Sequence, residues 1–172
     1  MDAQFRPVTA DGARQFVRWT YEPPYDIYNM VDDLSDPNLV EAAANYFLDP
    51  AIDCHVLLDE ADEVLAFCTF GEDAQVPGGD YSLEAVDIGL GVRPDLTGRG
   101  LGQQFVTAVI QFASQRFEPD YLRVTIAAFN ERAQRVWRRQ GFVIVQQFAA
   151  AVDGGRPFLI LEKELDDSQE NT

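Results

Sequence analysis

The chain has 172 residues, is 47% hydrophobic and 24% charged, and carries a formal net charge of −16 from 29 Asp and Glu against 13 Lys and Arg. That length suits one globular domain with a core of ordinary size, and it excludes a disulfide-stapled miniprotein and a disordered chain. No run approaches the ~20 apolar residues that a spanning helix needs. The opening MDAQFRPVTADGARQF has neither a basic leader nor an apolar core, so no membrane partner and a cytoplasmic location are expected. Acidity also argues against a nucleic-acid partner, because affinity for a phosphate backbone needs clustered Lys and Arg.

In chain order, Phe5 to Thr9 reads as a short strand and is followed by a helix through about Trp19 that presents Phe16, Val17 and Trp19. The aromatic segment Tyr21 to Met30 starts with Pro23 and Pro24, which remove donors and force extended backbone, so it reads as a turn-rich loop. After Asp36 and Pro37 a second helix is expected from Asn38 to about Phe47. Cys54 to Asp59 and Val64 to Gly71 form a hairpin around the charged link Glu60 to Glu63, and Glu72 to Ser82 is a loop. Pairing Leu58 with Val64 would set Cys54 opposite Cys68, a register that allows a cross-strand disulfide, with two buried thiols as the preferred reading. Two cysteines and the single His55 do not assemble a Cys/His zinc site, and no metal is expected.

Val86 to Arg93 is a strand with Ile88, Leu90 and Val92 on one face and Asp87, Gly89 and Gly91 on the other. It stops at Pro94, and the glycine-rich Thr97 Gly98 Arg99 Gly100 Leu101 Gly102 opens a helix with Leu101, Phe105, Ala108, Val109, Phe112 and Ala113 at helical spacing. Pro119 and Asp120 end that helix, and Tyr121 to Ala127 is the next strand. Asn130 caps a helix that runs to about Gln140 and closes at Gly141. Phe142 to Ala149 and Pro157 to Glu164 are strands joined by a hairpin-type turn, and residues 166–172 form a polar tail after a single domain of residues 1–165.

Charge is unevenly spread. Arg93 to Arg139 holds eight arginines against four acids, a net of +4, which leaves −20 on the remainder from five basic and 25 acidic residues. A basic segment in an acidic chain fits one locally held anionic ligand, and the acidic part focuses cations; a solvated helix face in an acidic protein is the bland alternative. The single Lys163 beside twelve arginines, together with the acidity, fits a salt-rich habitat or a GC-rich genome.

Strand, glycine-rich loop and helix start make a place to hold phosphate, because first-turn amides lack intrahelical partners and the helix dipole favours negative charge. Gln103 stands where a dinucleotide-binding loop needs its third glycine, and no Gly-Lys-Ser/Thr follows, so both commoner phosphate loops are excluded. Two segments, Val92 Arg93 Pro94 Asp95 Leu96 Thr97 Gly98 Arg99 Gly100 Leu101 Gly102 and Asn130 to Phe142, in this order, resemble the GNAT superfamily of acyl-CoA-dependent N-acetyltransferases. The resemblance implies an α/β (α+β) fold: a central mixed, mostly antiparallel sheet of six to seven strands, splayed at the cofactor strand and flanked by about four helices. It also implies acetyl-CoA as cofactor. The backbone of Leu90, Gly91 and Val92 would pair with the pantetheine arm, and the Thr97, Gly98, Arg99, Gly100, Leu101 and Gly102 loop would hold the pyrophosphate. Asn130, Ala133 and Trp137 would line the cofactor from the second segment, and Arg99, Arg135, Arg138 and Arg139 are options for the 3'-phosphate. A homodimer is allowed by folds of this type.

The sequence departs from the family pattern at two positions. Thr97 replaces a usual Arg or Gln, so a short donor survives where a long one is usual. Trp137 stands where members often carry a tyrosine able to protonate the leaving thiolate, and an indole N–H is no acid near neutral pH. In that reading the proton comes from water, or from Tyr21, Tyr25, Tyr28 or Tyr81. Direct attack by a neutral amine also needs a proton acceptor, and Asp87, Glu84 and Glu22 are the candidate bases, with Asp26 beside the last. His55 is an alternative base, while Cys54 has no placed acid partner for a ping-pong route. The reading is an N-acetyltransferase that moves an acetyl group directly from acetyl-CoA to a primary amine, on a cationic small molecule or a protein. A non-catalytic acyl-CoA-binding or sensor module is the alternative.

Overall fold

Thr9 starts the first helix because its extended backbone and its Oγ1, which accepts from the Gly12 amide at 3.1 Å, satisfy a donor that the helix cannot. Asp36 does the same for Asn38 at 2.9 Å, with Pro37 at the first helical position. The computed structural model describes residues 4–166, so all of the expected tail except Asp166 lies outside the described residues. The elements are β1 (Arg6–Pro7), α1 (Ala10–Phe16), α2 (Pro37–Leu48), β2 (His55–Leu58), β3 (Val64–Phe70), β4 (Val86–Val92), α3 (Gly102–Phe117), β5 (Tyr121–Ala127), α4 (Glu131–Arg139), β6 (Val143–Ala149) and β7 (Pro157–Glu164). The strands form a mostly antiparallel seven-stranded sheet in the order β1-β2-β3-β4-β5-β7-β6, with β4 and β5 parallel. The expected fold class is the observed one.

Two compact units divide the chain, one of Met1–Thr69 with Leu90–Val109 and the other of Phe70–Gly89 with Ile110–Thr172. In the first, Phe16 stacks on Phe67 at 4.2 Å and meets Phe47 edge-on at 4.9 Å, and Ala13, Val17, Val40, Ala44, Val56 and Val64 complete a dry core. Arg14 on α1 grips both oxygens of Glu41 on α2, at 3.0 and 2.9 Å. The first strand is shorter than expected and α1 stops at Phe16, where Arg18 and Trp19 tighten the chain by bonding carbonyls three residues back.

The hairpin of β2 and β3 forms, but its register slips between Leu57 and Leu58. Leu58 still faces Val64, whereas His55 rather than Cys54 faces Cys68. One bulged residue turns the two cysteines to opposite faces, so the cross-strand disulfide is removed and both cysteines are buried outside any disulfide.

In the second unit β7 lies between β5 and β6 over long antiparallel registers, with Leu122, Ile160 and Leu161 fully buried. Asn130 caps α4 by accepting from the Ala133 amide at 3.0 Å, and Gly141 takes the positive φ of 93° that ends it. Lys163 Nζ donates to the Gln140 carbonyl at 2.7 Å, a cation on a carbonyl at the helix's C-terminal end.

Candidate active site

The glycine loop leaves β4 through a tight turn. Leu96 and Thr97 donate their amides back to Arg93 and Pro94 at 2.9 and 3.2 Å, and the Thr97 hydroxyl donates to the Pro94 carbonyl at 2.7 Å. The donor expected to survive at Thr97 is therefore spent inside the turn. Arg93 and Asp95 pair at 2.7 Å, which raises the guanidinium's pKa and lowers that of the carboxyl.

Beyond Thr97 the loop opens. Gly98 and Gly100 adopt φ of 71° and 76°, and a Cβ on Gly100 would meet nothing within 4 Å. Among the described residues no backbone hydrogen bond takes up the amides of Gly98, Arg99 and Gly100, which are exposed just before the 16-residue helix α3. Open amides, a helix N-terminus and the exposed Arg99 fit a pyrophosphate. Nearby, Gln103 Oε1 is buried with no hydrogen-bond partner, a polar atom left without a donor at the start of the same helix.

Along β4, the Arg93 amide bonds Leu65 at 2.9 Å, so strand alternation turns the peptide groups of Val92 and Leu90 to the opposite edge. At that edge the Tyr21 hydroxyl donates to the Val92 carbonyl at 2.7 Å. Burial, helped by the neighbouring Tyr28, pushes the Tyr21 hydroxyl's pKa above its ordinary value of 10.0. Tyr21 is thus singled out from the tyrosines that sequence reasoning could not rank. Gly91 has its own reason to be glycine, since any Cβ there would fall on the Phe67 ring.

In the second unit Asp87 is buried rather than poised on an open face. Its two oxygens accept from Arg123 Nε and Nη2 at 2.6 and 2.8 Å, and Gln75 Nε2 adds a bond of 2.9 Å. Asp87 and Arg123 are direct cross-strand partners of the parallel β4–β5 pair, which accounts for the bidentate fit. Arg123 also donates to the Leu83 carbonyl at 2.8 Å and lies 4.9 Å from the centre of the Tyr81 ring. The Tyr81 hydroxyl bonds Thr125 at 2.8 Å and accepts from the Val76 amide at 2.9 Å. The carboxylate raises the Arg123 pKa. Sequence reading counted Arg123 only as one basic residue; the available signal was the one charged side chain within the run of β5.

Glu84 and Glu22 are exposed, as is Asp26. Trp137 is buried at 6% exposure and packs edge-on against Phe142 at 5.0 Å, the arrangement of a core aromatic. His55 is buried, with Nδ1 3.1 Å from the Asp53 carbonyl.

The sequence model of the acetyltransferase (GNAT) family matches residues 13–142 and so draws on both units. The chain belongs to the GNAT family. It is an acyltransferase, and acetyl-CoA is the cofactor of this family's chemistry. No curated protein matches the chain. Solved GNAT-fold structures do. A chimera of the spermidine N-acetyltransferase SpeG from Vibrio cholerae and hSSAT is 13% identical with a TM-score of 0.71, over 95% of this chain and 96% of that one. YncA from Salmonella typhimurium, solved with its cofactor acetyl-CoA, is 19% identical with a TM-score of 0.64, over 97% and 96%. A GNAT-family acetyltransferase from Bacillus anthracis is 12% identical with a TM-score of 0.66, over 93% of each chain. At these identities the likeness is one of fold.

Proposed function

We propose that this GNAT enzyme transfers the acetyl group directly to a primary amine on a cationic small molecule or a basic protein segment. The observation that carries the acceptor class is the charge map. From Trp19 to Val92 the chain holds 17 Asp and Glu and no lysine or arginine, a field that concentrates cations. Residues 1–165 act as one acetyltransferase domain, a reading supported by a family match that spans both units. Among the described residues no helix is long and apolar enough to cross a membrane. Two buried cysteines outside any disulfide support a cytoplasmic location.

Acetyl-CoA, when bound, supplies an electrophilic thioester carbon and a thiolate leaving group. The outward peptide groups of Leu90 and Val92, with Gly91 between them, hold the pantetheine arm. Gly98, Arg99, Gly100, Leu101 and Gly102 hold the pyrophosphate, and the Thr97 backbone shapes the turn that presents them. Asn130, Ala133 and Trp137 are the cofactor candidates of the second unit, where the Asn130 cap fixes the first turn of α4 and Trp137 supplies packing. Exposed Glu84 and Glu22 are the bases that strip the arriving ammonium, directly or through water. Asp87, with both oxygens bound by Arg123, contributes position in place of proton transfer. Tyr21 stays protonated at neutral pH and serves as a hydrogen-bond donor at the Val92 carbonyl. Cys54, 5% exposed in the core of its unit, is no acyl carrier.

The test has two stages. Calorimetric titration with acetyl-CoA should give saturable binding that a folded Gly100→Asp variant loses, because a carboxylate enters the open space at that glycine. Thiol release should then be faster with spermidine or a lysine-rich peptide than with glutamate as acceptor. Equal rates with glutamate would refute the acceptor class and leave the cofactor assignment standing.

A further inference from the structure

We propose that Tyr21 is a latch on the cofactor strand, its hydroxyl holding the Val92 carbonyl until the pantetheine arm of acetyl-CoA takes that carbonyl over. The inference rests on the reading that Leu90 and Val92 receive the arm, and every residue in it belongs to the first unit. The Arg93 amide bonds the Leu65 carbonyl at 2.9 Å, so the peptide groups of Val92 face away from β3. A donor to the Val92 carbonyl must stand on that outward side, and there the Tyr21 hydroxyl donates at 2.7 Å. Phenol and arm therefore approach one acceptor from one edge. A carbonyl has a second lone pair, but an extended chain paired at a strand edge places its N–H donor about 3 Å from the oxygen, where the Tyr21 hydroxyl already stands.

Residues 21–29 hold the latch closed. The Tyr21 amide donates to Asn29 Oδ1 at 2.8 Å, which closes this segment into a loop at its base. Within it the Tyr25 and Asn29 amides donate to the Glu22 and Asp26 carbonyls at 2.9 and 3.1 Å, and Tyr28 meets the Tyr21 ring edge-on at 6.3 Å. Burial keeps the hydroxyl a neutral donor at physiological pH, so the latch is opened by a competing donor and not by ionisation.

The latch joins the cofactor strand to the loop that carries acids. Glu22, a candidate base, directly follows Tyr21, and Asp26 lies in the same closed loop. Displacing the hydroxyl frees the segment that bears both carboxylates, so cofactor binding is felt at a candidate site of proton uptake. Such coupling is reciprocal: if the arm loosens the loop, loosening the loop favours the arm by the same factor. A tyrosine that only braces the fold would change stability and leave the affinity for the cofactor alone.

Calorimetric titration of the full chain with CoA, and with adenosine 3',5'-bisphosphate, which ends before the pantetheine arm, tests the latch separately from the cofactor reading. Tyr21→Phe keeps the ring and removes the hydroxyl. It should bind CoA about three- to tenfold more tightly than wild type, the net effect of one hydrogen bond, and bind the bisphosphate as wild type does. Asn29→Ala opens the same loop at its base and should shift CoA affinity in the same direction, and it decides the matter if Tyr21→Phe does not fold. CoA affinity that is unchanged or weaker overturns the latch and leaves the cofactor reading standing, as does an equal gain for the bisphosphate. A wild-type chain that is folded by circular dichroism and binds neither ligand overturns the cofactor reading and the latch with it.

Discussion

Arg123→Met tests whether the buried ion pair organises the second unit. The substitution removes both guanidinium contacts to Asp87, the bond to the Leu83 carbonyl and the stacking over Tyr81, and it leaves a carboxylate at 3% exposure with Gln75 as a remaining donor. Breaking a buried pair by removing one partner costs about 3–5 kcal/mol, most of it the uncompensated charge. With a urea slope near 2 kcal/mol per M, a loss of about 4 kcal/mol moves the unfolding midpoint down by about 2 M. The double variant Arg123→Met with Asp87→Leu removes the stranded charge as well and should recover at least half of the loss, since apolar replacement of a buried pair is often neutral. Denaturation followed by circular dichroism and by tryptophan fluorescence measures both variants, and coincidence of the two probes checks that one transition is being read. A single variant within about 1 kcal/mol of wild type would refute the reasoning, as would a double variant no more stable than the single. The same proteins address catalysis. If Asp87 acts by position, Asp87→Asn and Arg123→Met lower thiol release together and leave the acid limb of the pH–rate profile where it was. A lost acid limb in Asp87→Asn alone would make Asp87 the base.

Gly91→Ala should lower the unfolding midpoint by an amount equivalent to about 1–3 kcal/mol, because the new methyl meets a Phe67 ring already stacked on Phe16, and Phe67→Leu in the same chain should return part of it. Reducing agent should leave the melting temperature unchanged, and a thiol assay of the unfolded chain should find two free cysteines, because the bulge sets His55 and not Cys54 across from Cys68. Raising pH above 10.0, the ordinary tyrosine value, should progressively destabilise the fold. The Tyr21 pKa is raised in the folded state, so its contribution is complete below that pH and is lost as the folded value is approached; Tyr21→Phe should flatten the alkaline limb of the stability curve.

Local signals made most of the elements legible. Thr9, Asp36 and Asn130 satisfy helix amides within three residues of themselves, and Gly141 takes a left-handed backbone, so each boundary is a short-range event visible in sequence. The order of the glycine loop and the Asn130 segment likewise carried the family and its cofactor. Long-range pairing decided the rest. A slip between Leu57 and Leu58 changed the partner of Cys68, because one extra residue reverses every side chain beyond it. Asp87 looked like an available acid on an alternating strand, yet the parallel register of β4 and β5 put Arg123 directly opposite it and consumed both oxygens. Thr97 gave its donors to Pro94, and Tyr21 reached Val92 across 71 residues of sequence. Two local motifs carried the resemblance to the family, and with it the expected fold class, since each motif depends on neighbours along the chain. Which carboxylate remains open to solvent, and which polar group is already satisfied, depends on partners brought from distant segments, and the tertiary structure alone decided those.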